Sequence, residues 1–272
     1  MTVPTGTSKR DGTKSPLSPG RRSALTIGGL VGAALIAWGG WQVLGLVVGE
    51  TTVREQRILA AERPRLSVEL GSGDVALRRG TGPDVVLDRT IRYGLRQPRV
   101  EERSDADGVV VKARCPAWSG FFCDVSYEIA VPDGFAVELI SSSGDQTVRN
   151  LRAGQLNLEL SSGEVTLQDV SGPLDVHTSS GSVRAELLRS ETVAVEASSG
   201  DVELGFAAPP RRVAVQVSSG DVEVGLPDDR YRVVTDTSSG EERVNIAVDP
   251  SADRVVELRT SSGDVNVARA GG

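Results

Sequence analysis

Histidine occurs once in this 272-residue chain, methionine once, cysteine twice and lysine three times. Each scarcity excludes something. A zinc site draws on several thiolates and imidazoles, and Cys115, Cys123 and His177 are all that the chain can offer. No metal site is therefore expected. His177 is also the only imidazole base for serine-type nucleophilic chemistry, which needs a nucleophile, a base and an orienting acid together. Lys112 is the only lysine after residue 14, so lysine-based lyase chemistry has little to stand on. Aromatic residues make up 4% of the chain while glycine occurs 31 times, which favours thin, turn-rich β architecture over a thick aromatic core. A basic surface is lacking too. The net charge is −7, with +4 on residues 1–49 and −11 on the remainder. Phosphate neutralisation needs a basic face, so nucleic acid is excluded as a partner. No motif points to a cofactor, and the expectation is a protein that is not an enzyme.

One long hydrophobic run is present. Residues 23–49, SALTIGGLVGAALIAWGGWQVLGLVVG, carry no charge, and about 20 apolar residues span a bilayer core. Basic residues precede the run while Glu50 and Glu55 follow it. By the positive-inside tendency this predicts a single-pass membrane protein with a cytoplasmic N-terminus and an exported body. The rival reading is a cleaved signal peptide, but signal h-regions are shorter, about 7–15 residues, and no convincing cleavage site follows. Residues 1–22, rich in Ser, Thr, Gly and Pro, read as a disordered cytoplasmic tail. Residues 50–64 read as a juxtamembrane linker, with a short helical extension ending near Pro64. The expected exported compartment allows oxidation, so a Cys115–Cys123 disulfide is expected, closing a loop that is worth about 2.5 kcal/mol in the chain-entropy model.

From residue 65 onward the apolar period is two, as in Val213, Val215 and Val217, which predicts half-buried strands. The phrase Ser-Ser-Gly followed by an acidic or polar residue recurs, with glycines at Gly144, Gly163, Gly181, Gly200, Gly220, Gly240 and Gly263. Their spacing of 18–23 residues is a solenoid signature. The expectation is an all-β fold, a β-solenoid with coils of about 20 residues stacked on one Val/Leu core. The alternative is an antiparallel hairpin meander or sandwich. Glycine accepts the positive φ of the turn, serine and the acid can hydrogen-bond turn backbone locally, and the acid's charge stays in water. A related copy, ELGSGDVAL, places Gly73 well upstream, while residues 74–140 fit the repeat poorly; residues 65–140 read as N-terminal strands and cap, and residues 141–270 as the repetitive part, ending in an open coil.

Taken with the membrane run, the stretch YEIAVPDGFAVELISSSGD and the Ser-Gly-acid units that follow it resemble the bacterial putative-adhesin β-strand-repeat family, a domain of unknown function. The resemblance rests on Val131, Pro132, Asp133 and Gly134 leading into Ser143, Gly144 and Asp145, and covers roughly residues 66–268. It implies a β-helical, membrane-associated envelope protein and no catalytic residue.

Four sets of residues could carry chemistry, one of them PPRR at residues 209–212, which reads as a solvated turn between coils with a basic contact to anionic polymer as the alternative. The turn acids Asp145, Glu164, Asp201, Asp221, Glu241 and Asp264 would stack about 4.8 Å apart. They read as solvated, with a calcium edge at Asp201 and Asp221 as the weaker alternative. His177 reads as structural. Trp118, Phe121 and Phe122, between the cysteines, form the candidate contact loop, with a plug for the end of the stack as the bland alternative. The expected function is a non-enzymatic, adhesin-like interaction module of the cell envelope. It would be held to the bilayer by residues 23–49 and would contact an envelope protein, peptide or polymer through shape and an acidic, hydroxyl-rich face. Alternatives are the exported part of an envelope-stress or sensory system, or a self-assembling scaffold.

Overall fold

The structure, a computed structural model, describes residues 51–116 and 123–270. The expected tail (1–22), the membrane segment (23–49) and the contact-loop residues Trp118, Phe121 and Phe122 lie outside the described residues. Among the described residues no helix is long and apolar enough to cross a membrane.

All regular structure described is β. The first strands are β1 (Thr51–Leu59), β2 (Arg65–Leu70), β3 (Val75–Arg79), β4 (Val85–Tyr93), β5 (Arg99–Asp105), β6 (Gly108–Arg114) and β7 (Cys123–Val131). The middle strands are β8 (Ala136–Ser143), β9 (Gln146–Arg149), β10 (Gln155–Ser162), β11 (Val165–Gln168), β12 (Leu174–Ser180), β13 (Val183–Leu188), β14 (Thr192–Ser199) and β15 (Val202–Phe206). The last are β16 (Arg212–Ser219), β17 (Val222–Leu226), β18 (Arg232–Ser239), β19 (Glu242–Val244), β20 (Val255–Ser262) and β21 (Val265–Arg269). They form two sheets. Sheet A has the order β1-β4-β7-β3-β9-β11-β13-β15-β17-β21-β19, and sheet B the order β18-β20-β16-β14-β12-β10-β8-β2-β6-β5.

Each repeat contributes one strand to sheet B, turns at its Ser-Ser-Gly, and contributes the next strand to sheet A. We call this unit a rung. Neighbouring rungs pair in parallel and in register, so like side chains form columns. Leu139, Leu158, Val176, Val195, Val215 and Leu258 make one such column in sheet B, and each is buried. Inward residues of both sheets belong to one apolar core. Parallel pairing throughout the repeats sets aside the hairpin meander; hairpin-like antiparallel pairing is confined to β1–β4, β4–β7 and β5–β6 at one end of the stack.

Three expectations are corrected. Residues 51–59 are not a helical extension: β1 pairs antiparallel with β4 along its full length. Its helix-forming composition yields to cross-strand pairing with β4, where Gln56 bonds Asp88 and Arg54 bonds Thr90 across the strands. Residues 65–79 are not irregular cap. The β2–β3 unit is a full rung, inserted between the β6–β7 and β8–β9 rungs. The C-terminal coil is not the open end either. β20–β21 slots between β16–β17 and β18–β19, so the end of the stack is the penultimate coil in the chain.

Both ends of the stack carry a glutamate at an inward position. On β5, Glu102 stands opposite Val111. Its Oε1 accepts from Arg89 Nη1 at 2.7 Å and from the Tyr127 hydroxyl at 2.9 Å, with Arg57 Nη1 3.3 Å from Oε2. On β19, Glu242 stands in register with the core residue Val265 and accepts from the Thr235 hydroxyl and the Thr237 N–H. Inward-pointing charge on an outer strand discourages further pairing. Cys115 and Cys123 form a disulfide, with Cα atoms 5.9 Å apart, tying the end of β6 to the start of β7.

Candidate functional site

The repeated turn comes first, because it fixes the face beside it. Gly144, Gly163, Gly181, Gly200, Gly220, Gly240 and Gly263 all have positive φ. Stacking adds a second demand. A Cβ at any of them would come within 3.0 Å of the backbone carbonyl of the glycine one rung away, so there is no room for a side chain. Gly73 is an eighth member; its own Cβ would meet Val125. The acid after the glycine does bond backbone, as expected, but on the neighbouring rung rather than within its own turn. The Oδ1 atoms of Asp74, Asp145, Asp201, Asp221 and Asp264 accept the N–H of Asp145, Glu164, Asp221, Asp264 and Glu241 respectively, at 2.8–3.0 Å. Aspartate is the right length to reach one rung along. Asp201 and Asp221, the weak calcium candidates, thus spend an oxygen each on backbone. Among the described residues no three His, Cys, Asp or Glu side chains are grouped to hold a metal ion.

The strands leading into these turns present the outer face of sheet B. In-register pairing lays two columns along it. One runs Lys112, Glu69, Ile140, Glu159, His177, Glu196, Gln216, Arg259 and Asp236. The other is seven exposed serines: Ser143, Ser162, Ser180, Ser199, Ser219, Ser262 and Ser239. Between them, over the middle rungs, lies a groove of about 280 Å3 lined by Glu159, His177, Glu196, Gln216 and the first serines of four turns: Ser161, Ser179, Ser198 and Ser218. Adjacent strands repeat at about 4.8 Å, so the groove offers the same hydroxyl at each step. His177 lies at its centre. Its Nδ1 is 3.2 Å from Asp175 Oδ1 and its Nε2 is 3.3 Å from Glu196 Oε2. The imidazole thus lies between carboxylates, and among the described residues no hydrogen bond joins it to Ser179, which lines the same groove. Toward β6 the column changes character: hydrogen bonds from Lys112 and Arg114 hold the Glu69 carboxyl below its ordinary range. The Pro209–Arg212 connection is a turn whose two proline carbonyls accept from Arg254 Nη1.

The groove joins residues from four separate repeats, with no Phe, Tyr or Trp in its lining. It can form many parallel hydrogen bonds and ion pairs, spread along a line rather than focused on one reacting atom.

The chain is similar to one protein family and to several solved structures. The profile of the Toastrack DUF4097 family matches residues 61–268. A putative adhesin from Bacteroides fragilis shares 12% identity over 81% of this chain and 98% of its own, with a TM-score of 0.47. A putative lipid binding protein from Parabacteroides distasonis shares 15% over 79% and 96%, with a TM-score of 0.48. A putative adhesin from the same organism shares 13% over 80% and 97%, with a TM-score of 0.45. No curated protein matches the chain.

Proposed function

We propose, from the premise that this chain belongs to the Toastrack DUF4097 family, that it is a non-enzymatic interaction module of the cell envelope. In this reading residues 23–49 anchor it in the membrane, and the stacked rungs are a rigid β-solenoid that presents the outer face of sheet B to an envelope polymer, peptide or protein. One observation carries the reading: exposed serines and carboxylates repeat in register along that face, over rungs held rigid by the glycine and aspartate ladders. A regular array of weak polar contacts suits a partner that is itself regular, because each further contact is made at high effective concentration once the first has formed.

The test is retention of the full-length protein by isolated envelope fractions, with a Glu159→Gln/Glu196→Gln variant beside it. Both residues are surface groups on the groove, so the variant should fold normally and bind several-fold less. If it binds as well as the parent, while a Trp118→Ala/Phe121→Ala/Phe122→Ala variant does not, the contact lies in the loop between the cysteines and the face reading fails.

A further inference from the structure

Four strands end the two sheets: β1 and β19 in sheet A, β18 and β5 in sheet B. Three of them are defended. β19 is three residues long and carries Glu242 inward. β18 shares that carboxylate through Thr235 and Thr237. β5 turns Glu102 inward against Arg89 and Tyr127. β1 is different. It too turns charge inward, but as an opposite pair, Glu55 beside Arg89 and Arg57 beside Glu102; it is nine residues long, contains no proline and pairs with β4 in unbroken register, so among the described residues its far edge is a straight row of backbone groups. Long straight edges of this kind are templates for another strand.

Its surroundings leave room for one. Sheet A extends two strands past its last rung strand, β7, whereas sheet B extends only one past β6. The inner side of β1 therefore forms a ledge. Beneath it is a cavity of about 310 Å3 whose walls include Val53, Glu55, Arg57, Ile91, Tyr93 and Val100. On the outer side Ile58 is 64% exposed.

The charges of β1 identify the strand that fits. We propose that β1 is a homodimer interface: the β1 of a second copy pairs antiparallel with it about a two-fold axis through Gln56, continuing sheet A from one copy into the next. Two-fold registers that keep both inner faces on one side differ in which residue sits on the axis. With Arg54, Glu55 or Arg57 on the axis, that charge meets its own copy. With Gln56 on the axis, Glu55 faces the second copy's Arg57 twice over, Val53 faces Leu59, and the stem of Arg54 covers Ile58. Opposite charges at directly opposed positions stabilise a strand pair and like charges weaken it. The sequence of β1 is thus self-complementary in one register, which is what an isologous contact requires. The pairing is closed, so it makes a dimer and no fibre. It does not depend on what the outer face of sheet B binds.

Cysteine crosslinking in the full-length chain tests the register. Cys115 and Cys123 are bonded and no other cysteine exists, so an introduced thiol has no competitor. Opposed Cβ atoms on the axis lie about 5 Å apart, within reach of a disulfide, whereas two copies of residue 52 lie about 27 Å apart. Under copper–phenanthroline oxidation Gln56→Cys should give mostly covalent dimer on a non-reducing gel and Thr52→Cys almost none. Sedimentation of the unmodified protein in detergent should show a dimer. Equal crosslinking at both positions, a monomer at every concentration, or capture of a different protein by Gln56→Cys would each overturn the proposal, the last by giving the edge to another chain.

Discussion

At the scale of single residues, the turn glycines separate two demands that are usually met together. Gly134 has positive φ with nothing near its missing side chain, whereas Gly200 has positive φ and the backbone of Gly181 against it. Gly134→Ala should cost about 1 kcal/mol, the left-handed penalty alone. Gly200→Ala should cost about 3 kcal/mol, because a neighbouring rung must also shift. Urea unfolding of the two variants checks the difference. Leu187 makes the converse case. It adopts φ 56° at a register shift between β13 and β15, and its side chain is exposed. At comparable corners the chain uses Asn150 and Asp169, which tolerate this conformation. Leu187→Asn should therefore stabilise the protein by about 0.5–1 kcal/mol, seen as a raised unfolding midpoint. Tyr127 adds a pH dependence. Burial, then the neighbouring Glu102 carboxylate, pushes its phenol well above the ordinary range, and burial with Asp229 nearby pushes that of Tyr231 up to about 12. The unfolded chain loses these protons near pH 10 while the folded chain keeps them, so stability should fall as pH rises above about 10. Tyr127→Phe should flatten that fall in denaturation curves without abolishing it, since Tyr231 remains.

At the scale of elements, strands and turns were legible in the sequence, and their order in the stack was not. Alternation in Val213, Val215 and Val217 marks a half-buried strand, and the Ser-Ser-Gly phrase marks the corner because stacking allows one residue type there. Chain order then suggests that the coil at Gly263 follows the coil at Gly240, whereas the structure stacks Gly220, Gly263 and Gly240 in that sequence. A signal was present in the core register. The coil at 255–269 reads Val256, Leu258, Val265 and Val267, all buried, while the coil at 232–244 puts Thr235 in the column of Leu258 and Glu242 in that of Val265. Only an end coil can afford polar residues there. The outer face of sheet B was legible as acidic and hydroxyl-rich, but not as two columns with His177 between carboxylates, because register depends on pairing across repeats. β1 was misread since its composition favours helix and only the partner strand β4, distant in sequence, reveals its use. Glu242→Val should remove the defence of this end. The variant should remain folded, and light scattering should report concentration-dependent association beyond the size the parent reaches.

At the scale of the whole molecule, charge is divided. Residues 51–116 hold 13 basic and 10 acidic side chains, a balance of +3, while residues 123–272 hold 12 and 25, a balance of −13. The extra strands at the β1 end are therefore near neutral to basic and the repeats strongly acidic, which aims long-range attraction for cationic groups at the repeats. Stability is distributed differently. Each rung leans on its two neighbours, as in other stacked folds, but the β20–β21 rung is the sole link between β16–β17 and β18–β19. A chain stopped after residue 249 should lose more than its final coil. It should leave β18 and β19 without a sheet, and limited proteolysis should trim it back to the β16–β17 rung.

That inserted rung also bears on how the protein is made. A chain that emerges N-terminus first releases residues 232–244 before the coil they must rest on exists. They can only wait, while a regular stack would let each coil dock as it appears. The same delay occurs at the other end, where the β2–β3 rung precedes both of its neighbours. Assembly of the stack therefore waits for residues 255–269, and a chain ended before them is recognisable by two unsheltered strands. Quality control at the site of synthesis or export would need no signal beyond those strands to tell a finished copy from an unfinished one.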